Sequence, residues 1–206
     1  MDFSLTIVIV AITVLVSWRA FNDRALMERM ILWPPAVERR RQYDRLLTHG
    51  FIHADWMHLL FNMITLWSFG SAVERVFSEW ITPVGYVLFY LSAIVIAILP
   101  TYIGHRQDAN YRSLGASREV SAVLFDFILF DPWSKLIIFP IPVPIPAFLC
   151  AILYIGYSIW MDRRGGDNVN HSAHLWGAAY GLLFTVLLEP KVLAHFTQTL
   201  FRTGGA

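Results

Sequence analysis

Charge is what this sequence has least of for its length. Only 15% of its 206 residues are Asp, Glu, Lys or Arg, while 56% are apolar; soluble domains carry about 25% charged residues. The resulting mean hydropathy of +0.52 excludes an ordinary soluble domain. Sixteen basic and fifteen acidic side chains nearly cancel to a formal +1. With no basic excess to neutralise phosphates, nucleic acid is excluded as a partner and the lipid bilayer takes its place. Cysteine occurs once. Cys150 therefore cannot close an internal disulfide, and inside its apolar run it reads as a small core hydrophobe with no further role. Internal repeats and a soluble second domain are also missing, so residues 1–206 read as a single integral membrane domain.

What the chain has in place of charge is a series of long apolar runs. A helix crossing ~30 Å of hydrocarbon takes roughly 17 to 25 residues. Six segments meet that length, at about 3–19, 56–75, 81–103, 115–131, 145–161 and 172–189, which predicts an all-α membrane protein built as a six-helix bundle. Pro83, Gly104, Pro132, Pro146 and Pro190 punctuate their ends. The first run, Phe3 to Val16, follows only Met-Asp with no positive charge, so it reads as a retained helix rather than a removed signal. Residues 20–55 form a long charged connection whose Met30–Trp33 stretch is suited to dip into the interface. The run FPIPVPIPAF, 139–148, alternates proline with aliphatics and predicts an extended linker that is neither helix nor strand. Residues 162–170 read as a flexible polar loop.

Strongly polar side chains inside membrane segments are costly and point to function. His58 and Asn62, four residues apart, share one helix face and can reach a common point, either as donors or as interhelical glue. His174 heads a stripe with Gly177 and Gly181, whose spacing admits a close helix neighbour. Gly115-Ala116-Ser117 makes a tight turn into a helix, and Ser117 with Ser121 offers a small face to that stripe. Ser117 Oγ then comes within reach of His174, and the helix N-terminus supplies N–H groups for a developing oxyanion. Asp126 lies nine residues on, about 13 Å down the helix at 1.5 Å per residue, too deep to orient His174. The constellation reads as a Ser–His dyad. His49 and His53 have the spacing of a zinc-protease helix but Gly50 where the acid belongs, which disfavours a metal. Arg118 opposes the helix dipole, and its position near the helix mouth predicts that its stem snorkels outward, unpaired with Glu119.

Together these residues resemble the rhomboid family of intramembrane serine proteases. His49, His53, His58 and Asn62 meet its H-x3-H-x4-H-x3-N spacing, and Gly70 with Glu74 its G-x3-E; Gly115 and Ser117 match G-x-S, and Ala173, His174, Gly177 and Gly181 match A-H-x2-G-x3-G. The resemblance runs from about 43 to 189. It implies a six-helix bundle, a Ser117 nucleophile, a His174 general base and an oxyanion hole from His58, Asn62 and the Ser117 N–H, with no cofactor and no metal. Its implied substrates are proteins with transmembrane segments, cut in or near the helix and often after a small residue. The implied location is a bacterial inner membrane, with the site near the non-cytoplasmic face. Two positions depart from the pattern: Arg118 replaces the glycine that follows the nucleophile, and Asp44-Arg45 replaces a Trp-Arg pair. The implied orientation puts most of the Lys and Arg outside, against the positive-inside rule. The alternatives are a rhomboid-like pseudoprotease that binds transmembrane helices uncut, motivated by Arg118, and a small transporter with a histidine proton relay.

Overall fold

A computed structural model describes residues 4–138, 141–165 and 170–201. Its long helices are α1 (Leu5–Phe21), α5 (Trp56–Phe77), α6 (Pro83–His105), α7 (Ser117–Phe130), α8 (Ala147–Arg164) and α9 (His171–Leu188). Short helices α2 (Arg24–Met30), α3 (Pro34–Arg40) and α4 (Arg45–Thr48) and a tight turn at His49–Phe51 fill the first connection. α10 (Lys191–Phe201) follows Pro190 and leaves α9 at 111°. Among the described residues, α6 alone is by itself long and apolar enough to cross a membrane, and α9 with α10 meets the same measure only as a bent pair. Starts obey local chemistry. Asp55 caps α5 by accepting from His58 N–H at 2.8 Å, Thr82 caps α6 ahead of Pro83, and Asn170 caps α9 by accepting from Ala173 N–H at 2.9 Å.

Large apolar side chains lie outside the bundle as well as in its core. Leu15, Ile64, Trp67, Leu88, Ile152 and Leu187 are exposed, while Thr13, Ser17, Ser121, Asp126 and Thr185 are buried alongside an apolar core that includes Leu66, Phe77, Phe89 and Ile94. Apolar surface spread over several helices, with polar side chains inside, is what a lipid environment selects. α7 is the central helix, packed most extensively on α9 and also on α5 and α6. At 14 residues it is shorter than the 115–131 expected, because Gly115 turns the chain at φ 107° and Asp131 ends it.

At one end, Glu74 accepts from Ser4 Oγ and from the N–H groups of Leu5 and Thr6 at 2.7–2.9 Å, so a carboxylate on α5 satisfies the start of α1. Gly70 allows this by giving Thr6 room against the α5 backbone. The same end holds a ring cluster around Phe77, Phe89, Phe130 and Phe184. At the other end, α1 stops and α5, α7 and α9 begin, joined by contacts such as Ser17–His53 and Asn170–Tyr111.

One expectation is corrected. The proline run is not a linker without strand: β1 (Lys135–Ile138) pairs antiparallel with β2 (Ile141–Pro146), Leu136 opposite Ile145. Prolines at 142, 144 and 146 alternate, so the N–H groups between them, of Val143 and Ile145, are the ones left to pair. Residues 139–140, and 166–169 of the expected polar loop, lie outside the described residues.

Candidate active site

Ser117 opens α7, and the turn that delivers it is held from several sides. Gly115, at a φ open to glycine, donates its N–H to His49 O at 2.9 Å, and a side chain there would meet the His58 ring. Ser113 exchanges backbone hydrogen bonds with Leu32 at 3.0 and 3.1 Å. Ala116 N–H donates to His53 Nε2 at 3.2 Å. Since Nε2 accepts, the proton of His53 sits on Nδ1 and goes to Ser17 Oγ at 2.9 Å, and Ser17 donates onward to Phe51 O at 2.9 Å. That relay requires a neutral ring, and burial pushes the His53 pKa down to about 3. His49 is fixed alike, with Nδ1 donating to Arg45 O at 2.9 Å and burial holding its pKa well below the usual value. The paired histidines thus brace the serine loop. Among the described residues no three His, Cys, Asp or Glu converge as metal ligands would.

His174 reaches the serine from α9: Nε2 lies 2.6 Å from Ser117 Oγ. The helices approach this closely because a Cβ at Gly177 would collide with the Arg118 carbonyl, and one at Gly181 would stand 2.5 Å from Ala122 O. The glycine stripe therefore meets the α7 backbone at Arg118 and Ala122, one residue along from the expected Ser117–Ser121 face. Ser121 instead donates to Ser117 O at 2.7 Å and receives the Tyr154 hydroxyl at 2.8 Å. Sequence reasoning missed Tyr154. Its signal was a hydroxyl inside an apolar run, which needs a partner when buried.

On α5, the His58 ring meets His53 edge-on, 5.0 Å between centroids. Asn62, buried one turn further along, donates one amide hydrogen to His58 O at 2.8 Å and keeps a second. α7 has no side-chain cap, which leaves its first-turn N–H groups available. Asp126 accepts from Thr185 Oγ1 at 2.8 Å, far down α9 from His174.

Arg118 does not snorkel. It is 1% exposed, and its Nη1 donates to Ser113 Oγ at 3.0 Å and its Nη2 to Gly115 O at 2.8 Å. The reason is local: the serine loop presents acceptors behind the first turn of α7, and a guanidinium's forked donors match two of them at once. Glu119 is fully buried and makes no ion pair with Arg118 among the described residues.

Residues 40–191 match the Rhomboid domain family. The chain belongs to the rhomboid family. "RHOMBOID-like protein 12, mitochondrial" of Arabidopsis thaliana is 32% identical over 189 residues, 86% of this chain and 56% of that protein. "Presenilin-associated rhomboid-like protein, mitochondrial" of Homo sapiens is 30% identical over 183 residues, 85% of this chain and 46% of its own. "Putative rhomboid protease YdcA" of Bacillus subtilis is 29% identical, covering 73% of this chain and 69% of that protein. This rhomboid spans about half the length of the first two. It is a mostly helical integral membrane protein.

Proposed function

We propose that this rhomboid is an intramembrane serine endopeptidase, a single integral domain over residues 1–206 whose six spans are α1 and α5 to α9. Its substrates are proteins with transmembrane segments in the same bilayer. The observation that carries the reading is the 2.6 Å contact between Ser117 Oγ and His174 Nε2, made across two helices that only glycine lets approach. As Oγ attacks the scissile carbonyl carbon, its proton passes to His174 Nε2, and the carbonyl oxygen becomes an oxyanion. The Ser117 N–H, the free Asn62 amide hydrogen and the His58 ring donate to that oxygen. His174 then gives the proton to the departing amine. Water, deprotonated by His174, hydrolyses the acyl-serine and restores both groups.

The site lies at the end where α5, α7 and α9 begin, read as the non-cytoplasmic face of a bacterial inner membrane. The plant and human relatives carry mitochondrial names, so a mitochondrial membrane stands beside the bacterial one.

A second reading, a pseudoprotease that binds transmembrane helices uncut, is favoured by Arg118 standing where the family keeps glycine. A fluorophosphonate probe separates the two. Labelling that disappears in Ser117→Ala supports the protease, and an unlabelled wild type supports the binder.

A further inference from the structure

The serine loop holds two side chains that the hydrolytic scheme does not use. Arg118 is the largest of the fully buried side chains. Two of its nitrogens bond Ser113 Oγ and Gly115 O, both within four residues of the nucleophile, and its third, Nε, has no partner among the described residues. Glu119, the next residue, is 0% exposed, and neither carboxylate oxygen has a hydrogen-bond partner among the described residues. It is packed tightly: a Cβ at Gly50 would stand 2.8 Å from its Oε1. Its carboxyl lies against Gly50 and forms no ion pair with the guanidinium among the described residues.

A buried guanidinium cannot shed its charge, so it depends on the acceptors it meets, here the Ser113 hydroxyl and the Gly115 carbonyl. Arg118 sits directly behind the turn that carries Ser117; among the described residues its bonds to Ser113 and Gly115 tie the start of that turn to α7, as Ser121 Oγ on Ser117 O ties its end.

We propose that Arg118 is a positioning residue that clamps the 113–117 turn onto the first turn of α7. As a statement about Ser117 reactivity this rests on the hydrolytic reading. As a statement about coupling within the fold it does not.

The test compares wild type, Arg118→Met and Arg118→Lys, each purified as full chain in detergent and confirmed folded by circular dichroism. Arg118→Met keeps an unbranched side chain but loses the donors. It is expected to slow fluorophosphonate labelling of Ser117 by about tenfold or more and to lower kcat on a model transmembrane substrate with KM within about twofold. Arg118→Lys, which keeps charge but not the fork, is expected between the two. In hydrogen exchange, the Ser113 and Gly115 amides of Arg118→Met are expected to exchange about tenfold faster or more than those of wild type. Labelling by Arg118→Met within about twofold of wild type overturns the clamp. Should the wild type itself stay unlabelled and inert, the hydrolytic reading fails. Exchange at Ser113 and Gly115 then decides the clamp alone, faster exchange supporting it and an unchanged rate overturning it.

Discussion

On the proposed hydrolytic reading Ser117 and His174 form a single proton-transfer unit, so replacing either by alanine is expected to abolish labelling and cleavage while keeping the wild-type melting profile. His58→Ala and Asn62→Ala are expected to lower kcat, on the order of 10²-fold for a lost oxyanion donor. A change confined to KM would make them packing residues. His53 carries a prediction about acid. Burial pushes its ring from the ordinary 6.5 down to about 3 in the fold, so between those values the unfolded chain binds more protons and stability falls as pH drops. His53→Asn is expected to be less stable at neutral pH, with a shallower fall of Tm from pH 7 to pH 4.5. The meeting of Ser117 with His174 was legible because spacing and residue type carry it. The direction of Arg118 was not, since it depends on acceptors at Ser113 and Gly115 that exist only once the turn has formed.

Helices were legible wherever caps and prolines bracket an apolar run, as at Asp55, Thr82–Pro83 and Asn170. The hairpin was not, because proline is read as a strand breaker residue by residue, whereas pairing asks only that the remaining N–H groups face one way. The contact of α7 with α9 is the element-level requirement of the site. Gly177→Ala places a methyl group against the Arg118 carbonyl, a backbone atom that cannot swing aside. It is expected to cost about 1–3 kcal/mol of stability, read as a lower Tm, and to slow labelling of Ser117 as α9 is pushed outward. An unchanged Tm would mean that the helices part freely.

Over the whole molecule, the contacts at each end fix which connections share a side. Arg40 and Arg163 flank the end where Ser117 lies, and Lys135 and Lys191 the other. Single cysteines at these positions, in a background with Cys150→Ala, are expected to react with an impermeant reagent as two pairs from opposite faces. In a bacterial membrane Arg40 and Arg163 should be the externally reactive pair. The sign of that result was not legible from charge, because the basic residues crowd the end with the long first connection, where several are engaged: Arg45 donates to Glu28 O at 2.8 Å, and Arg29 pairs with Asp44 at 2.6 Å.

The buried guanidinium at 118 also constrains history. A carboxyl can enter a dry interior by taking up a proton, and a guanidinium cannot. From a glycine at 118, the viable mutational route to arginine starts from a turn that already presents the Ser113 hydroxyl and the Gly115 carbonyl to that site. A turn whose acceptors faced elsewhere would leave the charge stranded.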